Sequence, residues 1–442
     1  MADREALGRS PAHALALDCI DAGIDAASPE RAVAAALTLD GDILHVADDA
    51  YDLTDYDRVL VLGAGKATAG LVGALHDLLG DRIDGGCVAV PDPVDLPVES
   101  VVAGHPTPDS GSHEAATRIL AIAQDADDRT LVLAPISGGG SALLAAPVDG
   151  LAFDALREVT DALVASGASI DEINAVRKHC SAIKGGRLAQ ALAPATVVGL
   201  LVSDVVGDDP AVVASGPLTP DPTTYADARD VLDRYDIDVP AVRDHLNAGV
   251  RGEREETPNP GDESFETVTT HVIASGRTAV DAAETLARDR GYTPLVLSTR
   301  IRGEAREAAR TQVAVAEEIL DSGRPVEPPA VVLSGGETTV TVRGDGTGGP
   351  NLEFALAAAL ELPDEAILAS VDTDGRDGST DAAGAIVDSE TVATADDRRA
   401  ARAALSRNDA LGYLRERSVD IEGGPTGTNV NDLRVLIVGS DD

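Results

Sequence analysis

The segment DRVLVLGAGKATAGLVGALHDLL, residues 57–79, reads as a short apolar strand, a glycine turn and a helix. The same succession recurs downstream. GGCVAVP (85–91) is a strand, SHEAATRILAIAQ (112–124) a helix, and TLVLAPISGGG (130–140) a strand ending in glycines. ATVVGLLVSDVVGDD (195–209) is a strand ending in carboxylates. Strands alternating with helices imply a parallel sheet wound through βαβ units, with ligands at the carboxyl ends of the strands. Upstream, AHALALDCIDAGI and ERAVAAALTL have apolar residues at helical spacing, so the first ~50 residues are expected to be helical.

Residues 251–265, RGEREETPNPGDESF, lack periodicity and read as a linker or long loop. Beyond it the alternation restarts, with strands at THVIASG, TPLVLST, AVVLSGGETTVTV, EAILASVDTDG and DLRVLIVG and helices between them. The expectation is an α/β chain of two domains, 1–250 and 251–442.

The 442 residues carry 76 acidic against 35 basic side chains, a net charge of −41 spread along the whole chain. Such a surface repels nucleic acid and anionic membranes. It reads as adaptation to a cytoplasm of high salt, where the Debye length shrinks to roughly 3 Å at 1 M. Cys19, Cys87 and Cys180 are widely spaced and form no C-x-x-C pair, which argues against a disulfide framework or a zinc site. No signal-peptide pattern or membrane-length apolar run is present, so a cytoplasmic, soluble protein is expected.

Lysine is nearly absent: Lys66, Lys178 and Lys184 are the three. A chain so depleted should keep lysine where a compact ammonium is needed against phosphate or carboxylate. Gly63-Ala64-Gly65-Lys66 precedes a helix, where backbone amides and the lysine would attract an anion. It is neither a P-loop nor a full dinucleotide fingerprint, since Thr68 takes the third glycine position. A tight strand-to-helix turn explains it equally well.

Ser137-Gly138-Gly139-Gly140-Ser141 would let a ligand approach several amides at once. Residues 174–187, NAVRKHCSAIKGGR, gather Arg177, Lys184 and two further cations in an acidic chain, as an anion site or an internal ion-pair network. Ser203-Asp204-Val205-Val206-Gly207-Asp208-Asp209 puts carboxylates at a strand end, suited to Mg²⁺ or to an acidic turn. Ser334-Gly335-Gly336-Glu337 and Asp372-Thr373-Asp374-Gly375 repeat that arrangement in the second half.

In order along the chain, GAGKA, GHPTPD, ISGGGSALL, NAVRKHCSAIKGGRLA, SDVVGDD, ASGPLTPD, SGGETTVTV, DTDGRDGSTDAAGA and GPTGTNVNDL resemble the glycerate 2-kinases of the MOFRL type, a family also named hydroxypyruvate reductases. The resemblance implies a Rossmann-like N-terminal domain, a C-terminal α/β domain of MOFRL type and an active site in a cleft between them. It implies ATP- and Mg²⁺-dependent phosphorylation of D-glycerate to 2-phosphoglycerate, with NAD(P)H-dependent hydroxypyruvate reduction as the alternative. It leaves a homodimer open.

Carried onto this sequence, Lys66, Asp204, Arg177 and Lys184 are expected to be catalytic. Gly63, Gly65, Ser137, Gly138, Gly139, Gly140, Ser141, Glu337 and Asn351 are expected at nucleotide or phosphate. Asp204, Asp208 and Asp374 are the candidates for Mg²⁺. The chain departs from the family's G-G-R-N-Q-E at Gly348-Gly349-Pro350-Asn351-Leu352-Glu353, losing an arginine and a glutamine.

Overall fold

A computed structural model describes residues 4–439, which form two compact units: 32–273, and 4–31 together with 274–439. The first unit opens with an antiparallel meander of β1 Leu37–Asp40, β2 Ile43–Val46 and β3 Asp49–Asp52. The helix expected through ERAVAAALTL therefore stops at Ala36, and its last residues pair as a strand.

A six-stranded sheet follows, from β4 Arg58–Ala64, β5 Gly85–Val90, β6 Glu99–Val102, β7 Thr130–Ser137, β8 Thr196–Val202 and β9 Val268–Ala274. Its order is β6-β5-β4-β7-β8-β9, and β6–β5, β5–β4, β4–β7 and β7–β8 are parallel. Counted from β4 this is 3-2-1-4-5-6, the order of doubly wound dinucleotide-binding sheets. Every residue of β7 is buried, as expected of a central strand covered on both faces.

A helical cluster beside the sheet is built from Phe153–Ser166, Ile170–His179, Tyr225–Arg234 and Pro240–Val250 around Val176, Tyr225, Leu232 and Leu246.

The second unit holds β10 Thr293–Glu304, β11 Ala330–Thr339, β12 Ala366–Asp372, β13 Ala382–Val387, β14 Asp420–Glu422 and β15 Asp432–Val438, in the order β10-β11-β15-β12-β13-β14. Only β10–β11 is parallel; the other four pairings are antiparallel. Alternation of strands and helices in sequence did not foretell this, because β15 inserts between β11 and β12 from the end of the chain.

Helix Pro11–Ala26 belongs to this second unit, where Cys19 Sγ lies 3.8 Å from the Ala283 carbonyl. The division also follows Ile273 rather than residue 250, so the 251–265 loop lies within the first unit. Sequence order suggested otherwise because the apolar face of the N-terminal helix finds its partner about 260 residues away.

Candidate active site

The order of the first sheet reverses between β4 and β7, and in open α/β sheets ligands bind at such a point. Both glycine turns leave from it. In the first, the N–H groups of Lys66, Ala67 and Thr68 donate to the Gly138 carbonyl (2.9 Å), Ser137 Oγ (3.0 Å) and the Gly65 carbonyl (3.3 Å). The amide anion seat expected at this helix start is thus taken by the protein's own oxygens. A Cβ on Gly63 would collide with the Pro135 carbonyl, and one on Gly65 (φ +146°) with Ser137. These glycines let the ends of β4 and β7 close together.

In the second turn the amides of Gly138, Gly139 and Gly140 donate to no protein acceptor among the described residues. This turn, and not the first, can cradle an anion. No side chain fits at Gly138, because the Asp204 carboxylate from the end of β8 occupies the place of a Cβ. A Cβ on Gly139 would lie 3.3 Å from Lys66 Cγ and 3.0 Å from His105 Cδ2, so both side chains flank the turn. Lys66 and Asp204 are therefore brought to the same few residues. Asp208 sits farther along its turn in left-handed backbone (φ +58°) and does not line the adjoining cavity.

That cavity, of about 170 Å³, is lined by Gly139, Ser141, Arg177 and Lys184, with His105 and Ser181. Helix Ile170–His179 delivers Arg177. It starts with a Ser169–Glu172 capping box and ends in Arg177, Lys178 and His179, cations placed favourably at the negative end of the helix dipole. Arg177 Nη1 donates to Asn174 Oδ1 (3.2 Å) and Ser215 Oγ (3.4 Å), and Ser215 Oγ lies 2.7 Å from Ser141 Oγ. Lys184 donates to the Leu144 carbonyl. Neither Arg177 nor Lys184 pairs with a carboxylate among the described residues. Burial lowers Arg177 to about 10, and burial followed by repulsion from Arg177 brings Lys184 down to about 7. A buried lysine and a part-buried arginine, neither with a carboxylate partner among the described residues, make the cavity suited to receive an anion.

Lys178 and His179, from the same motif, turn inward. Lys178 Nζ is 3.5 Å from Asp221 Oδ1, and His179 binds the Ala175 carbonyl (2.7 Å) and Glu256 (3.1 Å). The ion-pair alternative thus applies to Lys178 and the anion-site reading to Lys184.

Asn174 and Ser215 were not singled out from sequence. Asn174 precedes Arg177 by one helical turn, a spacing that was readable. Ser215 sits in a left-handed run, Ala214 (φ +51°), Ser215 (φ +62°) and Gly216 (φ +61°), which no residue pattern announces. Such strain persists where surrounding contacts over-determine it, as at ligand sites.

In the second unit, Glu337 is exposed on β11 opposite Arg302 on β10. Asn351 is 1 % exposed, and its amide is engaged within the unit: Nδ2 donates to Asp377 (3.3 Å) and Asp432 (2.6 Å), and Oδ1 accepts from Ser370 (2.6 Å). The phosphate contact expected of Asn351 is thereby replaced by a hub that holds two carboxylates. Pro350 opens helix Pro350–Ala359 at a position where proline is well tolerated, and Leu352 is fully buried in the core, which accounts for both departures from the family pattern. Asp374 Oδ1 accepts the Arg376 N–H (2.8 Å), next to Asp372 and Asp377. Burial, with neighbouring carboxylates, raises Asp372 well above its ordinary range and Asp377 to about 7.

Among the described residues no three of His, Cys, Asp and Glu gather as a metal cage. Mg²⁺ is usually held by one or two carboxylates plus substrate phosphates, and Asp204 beside three unengaged amides suits that mode. Among the described residues no helix is long and apolar enough to cross a membrane.

Residues 15–247 match the family described as a domain of unknown function, DUF4147, and residues 330–432 match the MOFRL family. The chain is 39 % identical over 434 residues to a glycerate 2-kinase of Pyrococcus horikoshii, covering 96 % of this chain and 97 % of that one. It is 37 % identical over 432 residues to a D-glycerate 2-kinase of Thermotoga maritima, covering 96 % and 98 %. A putative hydroxypyruvate reductase of Agrobacterium vitis is 42 % identical over 391 residues, covering 86 % and 87 %. A crystal structure of a glycerate kinase from Thermotoga maritima superposes with a TM-score of 0.83 at 36 % identity, covering 96 % of this chain and 98 % of that one.

Proposed function

The chain belongs to the glycerate kinase family that carries a MOFRL domain, and from that premise we propose that it transfers the γ-phosphoryl group of ATP, with Mg²⁺, to O2 of D-glycerate. The observation that carries this reading is the pair Arg177 and Lys184, two cations without a carboxylate partner among the described residues, in a cavity of about 170 Å³ beside the second glycine turn. A three-carbon carboxylate matches that cavity in size and charge.

Phosphoryl transfer needs little covalent work from a protein beyond positioning and charge stabilisation. Arg177 and Lys184 would hold the glycerate carboxylate. The amides of Gly138, Gly139 and Gly140, with Ser137 and Ser141 at either end, would receive phosphate oxygens. Lys66, flanking Gly139, would neutralise charge on the transferred group. Asp204 would hold Mg²⁺ or orient the acceptor hydroxyl, with Asp208 the second carboxylate on that strand end. The metal, when bound, would neutralise charge on the phosphate oxygens. The reaction would take place in the cytoplasm at high salt, as the charge of −41 suggests.

Phosphorus NMR of the product from D-glycerate, ATP and Mg²⁺ in molar KCl tests this. A 2-phosphoglycerate signal is expected. A 3-phosphoglycerate signal would overturn the regiochemistry, and the absence of any phosphoester the kinase.

The alternative is nicotinamide-dependent reduction of hydroxypyruvate, which the name of the Agrobacterium vitis relatives and the doubly wound strand order both favour. Against it, the amides of the G-A-G-K turn, where a dinucleotide pyrophosphate would sit, are engaged by protein oxygens. NADH oxidation with hydroxypyruvate, in place of phosphorylation, would reverse the preference.

A further inference from the structure

We propose that the first unit carries a second anion site, separate from the candidate active site, in which Arg187 and Arg254 receive the phosphate of a small phosphorylated metabolite. A cavity of about 600 Å³ is lined by both arginines together with Gln190, Tyr225 and His245, and it shares no lining residue with the first cavity. The two are set back to back along one segment. Ser181 and Lys184 line the first, whereas Ala182 and Arg187 line the second.

In a chain with more than two acidic residues per basic one, neither guanidinium has a carboxylate partner among the described residues. Arg187 Nε is buried without an acceptor, and Arg254 reaches only the Asp149 carbonyl, at 3.3 Å. The Tyr225 hydroxyl likewise bonds to no protein group among the described residues, which leaves it as a donor. The positive field is felt by His245. Burial lowers its pKa, the hydrogen bond to the His179 carbonyl opposes this, and Arg254 and Arg187 lower it further.

Three carboxylates stand among the lining residues. Glu253 is bound by Arg251 through two bonds of 2.7 and 2.8 Å, while Asp149 and Glu255 are exposed. Neither of these two is bonded to Arg187 or Arg254 through its carboxylate among the described residues. Guanidinium forks match phosphate oxygens in pairs, and the volume exceeds what a bare anion fills.

Isothermal titration of the full chain with inorganic phosphate, at fixed KCl, tests the site without reference to turnover. Two classes of binding are expected. Arg187→Gln and Arg254→Gln should each weaken one class about tenfold or more, as loss of a charged hydrogen bond does, and leave the other. Arg177→Gln should do the converse. Arg254 is exposed, so its variant reads binding without a folding effect. A single class that Arg177→Gln abolishes and both other variants leave unmoved overturns the proposal. Glycerol 3-phosphate is the second probe. Tighter binding than phosphate at the Arg187 site assigns an organic ester, and weaker binding overturns that assignment in favour of free phosphate. Failure of the kinase reading would leave these outcomes unchanged.

Discussion

Arg177 and Lys184 face one cavity, and burial followed by the Arg177 charge holds the Lys184 ammonium down to about 7. Unfolded, this group titrates near 10.5, so between about 7 and that value the unfolded chain binds a proton that the folded one lacks. The contribution of Lys184 to stability therefore rises with pH across that window and is lost as pH falls through about 7.

A bound carboxylate reverses the preference, since it favours the ammonium. The kcat/KM for glycerate is expected to fall as pH rises above about 7, reporting the free protein's lysine. Lys184→Met should flatten this limb. An unchanged limb in the variant would assign the titration to another group.

The same lysine should trade stability against binding. Lys184→Met removes a buried charge that has no carboxylate partner among the described residues, so the ligand-free protein is expected to melt at a higher temperature near neutral pH while the KM for glycerate rises. A lower melting temperature would mean that the bond to the Leu144 carbonyl outweighs the burial of the charge.

Gly138→Ala tests the contact between the second turn and Asp204. The new methyl would stand where the Asp204 carboxylate lies. We expect kcat to drop by about 10²-fold or more, as misplacement of a positioned group does, with the melting temperature little changed. Wild-type kcat would show that Asp204 can move away without consequence.

In the second unit, Asp377 accepts the N–H groups of Asn351 (3.0 Å) and Leu352 (2.8 Å) at a helix start. Asp377→Asn replaces one accepting oxygen with a donor that faces a buried N–H. Loss of about 1–3 kcal/mol is expected in urea unfolding. An unaltered midpoint would mean that the helix start finds another acceptor.

Chelation of Mg²⁺ should abolish turnover and leave the nucleotide-free melting temperature unchanged, because no metal cage exists among the described residues. A fall in melting temperature on adding a chelator would reveal a structural metal.

Several features were legible without coordinates. The βαβ alternation, the glycine turns at strand ends and the cations of NAVRKHCSAIKGGR all follow from local spacing. Others were not. Helix Pro11–Ala26 was read with the first domain because nothing local to it names its partner beside Ala283. Asn351 was read as a ligand contact because a pattern cannot tell an amide facing substrate from one facing Asp377 and Asp432.

The sequence alone marked most strands and helices of the two large sheets and the segments offering groups for anion chemistry, since both depend on residues a few positions apart, but not the β1–β3 meander. Which of two similar glycine turns has its amides unengaged depended on Ser137 Oγ and the Gly138 carbonyl reaching back to residues 66 and 67. Which of two neighbouring lysines lost its counter-ion depended on Asp221 lying beside Lys178 and away from Lys184. Hydrogen bonds and ion pairs act over a few ångströms of space, whatever the separation along the chain, so only the tertiary structure could decide them.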